Sequence, residues 1–125
     1  MVVLDASALL AFLFGEPGAK SVESELPAGV ISAVNLTETV TRLVRDGHPG
    51  EIVQAKILKY GLVIADFDRT QSVQAAMLYP LTCRFGLSLG DRACLALGMT
   101  KNLPVLTADR VWADLDLPLE IRVIR

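Results

Sequence analysis

The sequence predicts a three-layer α/β/α domain built on a mostly parallel central sheet of four to five strands. Short apolar runs, which suit strands buried on both faces, alternate with longer segments of helical period. The hydrophobic fraction of 52% and the mean hydropathy of +0.46 fit such a covered sheet, and they also fit an apolar surface covered by a partner. For 125 residues we expect one domain, residues 1–125.

Turn-forming clusters divide the first half of the chain. Gly15-Glu16-Pro17-Gly18 and Gly47-His48-Pro49-Gly50 interrupt the helical pattern. The predicted elements are a strand at 2–4, a helix at 6–14, a helical segment to about 26, a strand at 30–32, a helix at 33–46 and a helix at 51–60. Helical spacing predicts two inward-facing sets: Leu36, Val40, Leu43 and Val44, and Ile52, Val53, Ile57 and Leu58.

The second half shows the same alternation. A helix is expected over 70–82, ended or kinked by Pro80. The segment at 88–100 is the most apolar helix and should be buried nearly all round. The remaining elements are a strand at 62–65, a loop at 85–87, a strand at 104–106, a short helix at 110–115 and a strand at 120–124. This order favours crossover units around a parallel sheet.

Charge and cysteine content limit the classes of protein to which this chain could belong. The net charge of −2 lacks the overall basic signature of a nucleic-acid binder, although it does not exclude one. No segment reaches the roughly 18 apolar residues of a membrane span, and Asp5 interrupts what would be the apolar part of a signal peptide. Cys83 and Cys94 lack metal-type spacing, so we expect reduced thiols in a cytoplasmic protein.

Four carboxylates stand where apolar runs stop or helices begin: Asp5, Glu38, Asp91 and Asp109. In an α/β sheet, residues beyond the carboxyl ends of parallel strands converge on one crevice. Acids gathered there would repel one another unless a cation joined them. The placement therefore predicts a site for a hard cation such as Mg²⁺ or Mn²⁺.

Three of these acids also have a purely structural interpretation. Asp5 suits the N-cap of the first helix, and Asp109 suits a turn. Ser88 and Asp91 have the spacing of a capping box. For Asp5 taken alone, a cap is at least as good an explanation as a metal ligand, and for Asp91 it is the better one.

For Glu38 the structural alternative is a surface ion pair with Arg42, four residues along the helix. None of these alternatives explains the joint placement of all four acids. Short hydroxyl residues recur beside them and could orient carboxylates on a hard cation: Ser7, Ser32, Ser88 and Thr107.

Other chemistries have less support. His48 is the only histidine and lies in a turn, so neither a Ser–His nor a Cys–His nucleophile is expected. Trp112 is interpreted as a residue of packing or of a partner contact rather than as a base-stacking platform. A haloacid-dehalogenase-type phosphatase would need an aspartate where Ser7 stands, and a receiver domain would need an acidic pair at the first strand.

Taken together, four segments resemble the PIN-domain nucleases over essentially the whole chain. They are Leu4-Asp5-Ala6-Ser7-Ala8, residues 32–38 (Ser-Ala-Val-Asn-Leu-Thr-Glu), residues 87–93 (Leu-Ser-Leu-Gly-Asp-Arg-Ala) and Leu106-Thr107-Ala108-Asp109. Within that family the chain is similar to the VapC-type toxins of bacterial or archaeal toxin–antitoxin pairs. The resemblance implies a PIN-like fold.

The resemblance implies a Mg²⁺-dependent ribonuclease, with Mn²⁺ as an alternative cofactor, that leaves a 5′-phosphate. The family's acidic quartet, both catalytic and metal-binding, falls on Asp5, Glu38, Asp91 and Asp109, and its supporting hydroxyls fall on Ser7 and Thr107. Our hypothesis is that Asp5 and Asp91 are the principal ligands. Arginines near the acids are candidates for contacts with flanking phosphates: Arg42, Arg45, Arg92 and Arg110.

The resemblance also implies partners: a cognate antitoxin protein that wraps the apolar surface, an RNA substrate and a second copy of the chain in a homodimer. Operator DNA would be bound only through the antitoxin complex, and no membrane is involved. Two alternatives stay open, namely a non-toxin PIN nuclease of RNA processing and a degenerate PIN-like module that binds a partner without catalysis.

Overall fold

The computed structural model describes residues 1–125 and contains a sheet of five strands. The strands are β1 (Val3–Leu4), β2 (Val30–Ser32), β3 (Val63–Ala65), β4 (Val105–Thr107) and β5 (Ile121–Val123). Their order across the sheet is β3-β2-β1-β4-β5, and every neighbouring pair is parallel. The predicted sheet is confirmed, and it is parallel throughout. Because β1 is central, its carboxyl end lies in the middle of one sheet edge.

Seven α-helices connect the strands. They are α1 (Ala6–Leu13), α2 (Ala19–Glu23), α3 (Ala33–Arg45), α4 (Gly50–Leu58), α5 (Arg69–Met77), α6 (Tyr79–Thr82) and α7 (Leu89–Lys101), with 3-10 turns at Cys83–Phe85 and Arg110–Asp114. The single helix predicted over 70–82 is divided between α5 and α6 beside Pro80. Pro80 lies in the first turn of α6, where its missing N–H leaves no helical bond unmade.

The pleat of the strands creates the three layers. Residues in register alternate between two cores, since successive side chains of a strand point to opposite faces. One row is Val3, Val30 and Val105, and the next is Leu4, Ile31 and Leu106. The first row packs with residues of α5 and α7, and the second packs with residues of α1, α2, α3 and α4. The predicted α/β/α arrangement follows directly.

The inward faces predicted for α3 and α4 are partly wrong. Leu43, Val53 and Ile57 are buried as expected, but Val44 is 49% exposed and Ile52 is 65% exposed. Leu58 is also exposed. The reason is that α3 contacts α1, α4 and α7 rather than the sheet alone, so its buried face is rotated. That face includes polar side chains close to the predicted site.

Two other expectations can be compared with the structure. Cys83 is exposed, Cys94 is buried, and both are free thiols, so no disulfide forms. Trp112 is fully buried, which confirms its role in packing. No helix of the chain has both the length and the apolar character that crossing a membrane requires.

Candidate active site

Asp5 lies at the centre of the carboxyl edge of the sheet. Its backbone N–H donates to the carbonyl of Leu106 on β4 (3.1 Å), which continues the β1–β4 ladder by one residue. Asp5 is 3% exposed, and Thr107, the neighbouring residue on β4, is fully buried. The parallel sheet therefore brings two residues from opposite ends of the chain into contact, as the sequence predicts for strand ends.

The Asp5 carboxylate is held by neutral donors alone. Oδ1 accepts from the Ala8 backbone N–H (2.8 Å) and from Ser7 Oγ (2.7 Å), and Oδ2 accepts from Thr107 Oγ1 (2.8 Å). Burial raises the pKa of Asp5 from 3.8 to about 6 despite these three stabilising bonds, and the nearby Asp91 charge contributes to the rise. Asp5 thus caps α1, as the structural alternative predicts, but at a cost in desolvation that a simple cap at the surface would not incur.

The supporting hydroxyls link Asp5 to the segment that ends in Asp109. Ser7 Oγ accepts from the Ala108 backbone N–H (2.9 Å), and Thr107 Oγ1 accepts from the Asp109 backbone N–H (3.0 Å). The Asp109 side chain is exposed and accepts from the Val111 N–H (3.1 Å), capping the 3-10 turn. One hydroxyl therefore separates the backbone of Asp109 from the Asp5 carboxylate.

Asp91 lies in the first turn of α7 and forms the predicted capping box. Its Oδ2 accepts from the Ser88 N–H (2.9 Å), and its own N–H donates to Ser88 Oγ (3.2 Å). The structural interpretation of Asp91 is thereby confirmed. Since Oδ1 receives no hydrogen bond from the protein, the cap leaves one oxygen of this half-buried carboxylate for another ligand.

Glu38 lies on α3 and faces the start of α7. Its Oε1 accepts from Asn35 Nδ2 (2.8 Å), and its carboxylate packs directly on Gly90. The alternative of an ion pair with Arg42 is wrong, because Arg42 pairs with Asp46 (Nε–Oδ2 3.2 Å). Glu38 is an exposed residue overall, but partial burial of its carboxyl group raises the pKa of Glu38, and the Asp91 charge adds to the rise.

Three of the predicted acids form one electrostatic unit. The charge of Asp91 raises the pKa of both Asp5 and Glu38. Cys94, one turn along α7, is fully buried, and its pKa is raised first by burial and then by the charges of all three acids. The ion pairs in the structure include none of the four predicted carboxylates. The site is therefore a concentration of negative charge that no cationic side chain balances.

The donor chemistry of this cluster fits a hard divalent cation, because its carboxylate oxygens are the ligands that Mg²⁺ and Mn²⁺ prefer. Buried carboxylates of this kind are normally paired or metal-bound. As the side chains stand, however, no three carboxylate, thiol or imidazole groups are close enough together to share one ion. An ion at this site would therefore contact at most two of these groups directly, and water would complete its coordination shell.

The arginines predicted to contact phosphates differ in their availability. Arg42 is paired with Asp46 and lies over the Phe14 ring. Arg92 donates Nη1 to the carbonyl of Ala75 (3.0 Å), near the end of α5, and stacks over a tyrosine ring. Arg110 donates a hydrogen bond only from Nε, to the backbone carbonyl of Arg125 (3.0 Å). Arg110, next to Asp109, consequently keeps both terminal nitrogens free.

Sequence reasoning missed two residues of the site, Asn35 and Gly90. Asn35 is 1% exposed and contacts both Glu38 and the carbonyl of Gly90. A signal was present, because a residue three positions before Glu38 lies on the same face of the helix and can bond to it. Nothing in the sequence connects Gly90 with Glu38, since that contact depends on how α3 packs on α7.

Comparison with known families gives one match over nearly the whole chain. A family model described as PIN domain matches residues 2–117. A comparison with curated proteins yields no match.

Several solved structures have a similar fold. A chain of a toxin–antitoxin complex from Klebsiella pneumoniae is 17% identical, with a TM-score of 0.79 over 100% of this chain and 98% of that one. FitAcB from Neisseria gonorrhoeae is 17% identical, with a TM-score of 0.75 over 99% and 98% of the two chains. VapC20 from Mycobacterium tuberculosis, described as a toxin that cleaves the sarcin–ricin loop, is 19% identical, with a TM-score of 0.73 over 93% and 97%. At such identities the likeness is one of fold.

Proposed function

Because the chain belongs to the PIN-domain family, we propose that residues 1–125 form a single PIN domain that acts as a metal-dependent endoribonuclease. The observation that supports this most directly is the state of Asp5. It is buried and has no cationic partner, and it is held in place by neutral hydroxyl and amide donors. A divalent cation would supply the missing positive charge, with Mg²⁺ as the expected cofactor and Mn²⁺ as a substitute.

In this proposal Asp5 and Asp91 are the principal ligands of the cation, and Glu38 and Asp109 complete the site directly or through water. Bound there, the cation would polarise a phosphoryl oxygen and lower the pKa of a water molecule. Ser7 and Thr107 have a supporting role, since their hydroxyls fix both oxygens of Asp5. All four acids thus have both a catalytic and a metal-binding assignment.

The chain's own contribution to hydrolysis would be to position the phosphodiester and to accept a proton. Water attacks phosphorus, the bond from phosphorus to the 3′ oxygen breaks, and the products carry a 5′-phosphate and a 3′-hydroxyl. Glu38 is suited to accept the proton of the attacking water, because burial and the Asp91 charge raise its pKa. Arg110 has two free nitrogens for a flanking phosphate.

Cleavage of end-labelled structured RNAs by the purified protein tests this assignment. We expect Mg²⁺ or Mn²⁺ to support cleavage, EDTA to abolish it, and Asp91→Asn to lower the rate by about 10²- to 10³-fold, since one charge-stabilising contact is typically worth this much. Asp114→Asn, which alters an exposed acid in the 3-10 turn, is the matched control and should cleave normally. Equal rates for wild type and Asp91→Asn would contradict the assignment.

We further propose that the protein is the toxin of a toxin–antitoxin pair, and that it acts in the cytoplasm as a homodimer held in check by a cognate antitoxin. Two apolar surface cavities support this proposal, because a partner protein could fill them. One, of about 270 Å³, is lined chiefly by residues of α1, α3 and α4, and the other, of about 250 Å³, lies between α5, α6 and α7. Exposed side chains such as Met77 and Leu81 surround the second.

Two other structures of this fold are described as VapBC2 from Rickettsia felis bound to a DNA fragment from their promoter and as DNA-bound VapBC from Salmonella typhimurium. By analogy, operator DNA would contact this protein only through the antitoxin complex. The net charge of −2 supports that indirect arrangement. The exposed free thiol of Cys83 suits a reducing compartment.

Growth on induction distinguishes a toxin from an RNA-processing nuclease. We expect expression of the wild-type chain alone to arrest a bacterial host, because unregulated cleavage of an essential RNA stops translation. The Asp91→Asn variant, expressed to the same level, should permit growth. Colony counts and immunoblots after induction provide the measurement. Normal growth with abundant, active wild-type enzyme would favour the processing nuclease.

A second candidate function is a PIN-like binding module without catalysis. Two observations favour it: Asp5, Asp91 and Asp109 all cap helices or turns, and no three ligating groups are close enough to share one ion. Under this alternative the folded protein would bind its partner while showing no metal-dependent cleavage of any RNA.

A further inference from the structure

Asn35 is a buried polar residue placed between two elements of the site. It lies one helical turn before Glu38 and is 1% exposed. Its Nδ2 donates to Glu38 Oε1 (2.8 Å) on its own helix and to the carbonyl of Gly90 (3.0 Å) on α7. Its Oδ1 is buried and has no partner. The amide group therefore makes its contacts only through its donors, and both donors are directed at the junction of α3 with α7.

Gly90 provides the space on the other side of the same junction. A Cβ at this position would lie 2.3–2.5 Å from the three carboxyl atoms of Glu38. The backbone of Gly90 is helical and lacks a positive φ, so glycine is not needed for the backbone conformation. What it supplies is room for a carboxylate directly beside Asp91, at a position where alanine would favour the helix.

Together these contacts restrict a side chain that would otherwise rotate freely. Glu38 has three flexible torsions and is an exposed residue overall. Oε1 is held by Asn35, the carboxyl group rests on Gly90, and Oε2 receives no hydrogen bond from the protein. One oxygen is therefore fixed and the other is left for a ligand.

We infer that Asn35 and Gly90 are positioning residues, which hold the Glu38 carboxylate at the start of α7 so that Glu38 and Asp91 are presented to the same divalent cation. The inference rests on the proposed function, and it names the residues that fix the position of Glu38 in the proposed metal site. Neither residue contacts the cation or the RNA. Asn35 acts through a hydrogen bond, and Gly90 acts through the absence of a side chain.

Mn²⁺ binding without RNA is the test, measured from the free Mn²⁺ signal in electron paramagnetic resonance. Gly90→Ala should fold and unfold like the wild type, because the obstructed atoms belong to the end of a flexible side chain. We expect its Mn²⁺ affinity to fall about tenfold or more, the range typical for residues that orient metal ligands. Asn35→Leu, similar in shape but without donors, should show a comparable loss.

A double-mutant cycle separates positioning from a general effect on the helix. In a Glu38→Ala background, neither Gly90→Ala nor Asn35→Leu should weaken Mn²⁺ binding further. Gly50→Ala, a glycine substitution in the first turn of α4, is the matched control and should bind Mn²⁺ like the wild type. The RNA cleavage rates of Gly90→Ala and Asn35→Leu at saturating metal, compared with that of Gly50→Ala, give a second readout.

Three results would overturn the inference in distinguishable ways. If the wild type binds Mn²⁺ and Gly90→Ala binds it equally well, the inference fails while the proposed function stands. If the loss persists in the Glu38→Ala background, Gly90 acts through the helix and not through Glu38. If the folded wild type binds no Mn²⁺, the proposed function fails and the inference fails with it.

Discussion

Asp5→Asn is expected to stabilise the metal-free protein by about 2 to 3 kcal/mol above pH 6. In the folded state the pKa of Asp5 is raised to about 6 from 3.8, and each unit of difference corresponds to about 1.4 kcal/mol. The folded state therefore holds the Asp5 proton more tightly than the unfolded state. Wild-type stability is greatest below pH 3.8 with respect to this group, falls as pH rises from 3.8 to 6, and carries the full cost above that.

The amide avoids this cost, because it stays neutral and can still accept the Ala8 N–H bond. The hydroxyls of Ser7 and Thr107 can rotate to accept from the new NH₂ group. Urea denaturation in EDTA, from about pH 4.5 to about pH 7.5, measures the effect. The advantage of the variant over wild type should grow with pH and level off above about pH 6. A constant difference, or a variant less stable at neutral pH, would contradict the expectation.

Added Mg²⁺ should reverse the order of stability. A cation that binds only the folded wild type raises its melting temperature, whereas Asp5→Asn should show little response. Asp114→Asn, in an exposed position, is the control for a general change in charge. The substitution that stabilises the metal-free protein should thus abolish metal binding. Such a loss of stability in favour of function is expected at a functional site.

Trp112→Ala is expected to lower the free energy of unfolding by about 3 to 5 kcal/mol, the usual cost of removing a large buried aromatic side chain. Trp112 is fully buried in the core shared with α5 and α7, and its backbone N–H donates to the backbone carbonyl of Asp109 (3.2 Å). The cavity would lie under the 3-10 turn that Asp109 begins. We therefore expect the loss of stability to be accompanied by looser positioning of that acid.

Trp112→Phe is the matched variant for this prediction. The indole Nε1 is buried without a hydrogen-bond partner, and phenylalanine removes that unpaired donor while keeping most of the ring. We expect a loss of only about 1 to 2 kcal/mol, because the smaller cavity is partly offset by this gain. Thermal unfolding of both variants and of the wild type measures the two losses of stability. A cost for phenylalanine equal to that for alanine would show that the indole nitrogen has a partner after all.

The strands and the ends of the strands could be predicted from sequence because they depend on local patterns. Apolar runs of two to three residues became β1, β2 and β4, and the pleat of a parallel sheet then placed Asp5 next to Thr107. The capping roles of Asp91 and Asp109 also follow from local rules, since a cap depends only on the next few residues. The catalytic roles of the four acids remain predictions.

What could not be predicted depends on which helices touch. Periodicity assigned Ile52 and Val44 to the core, yet both are exposed. Ile52 is exposed because α4 packs mainly on α3, and Val44 is exposed because α3 packs partly on α7 rather than wholly on the sheet. The same packing hides Asn35 and brings Gly90 against Glu38. Arg42 turned to Asp46 rather than to Glu38, a choice between two neighbours on one helix that spacing alone does not decide.

The bond from Thr107 to Asp5 joins residues 102 positions apart in the chain, and the contact between Ser7 and Thr107 spans 100 positions. During synthesis, Asp5 leaves the ribosome long before the strand that completes its surroundings. Until β4 pairs with β1, the carboxylate lacks the Thr107 hydroxyl donor and the burial that the neighbouring strand provides. Under the proposed function, a growing chain, or one truncated before β4, would therefore lack RNA cleavage until β4 has paired with β1.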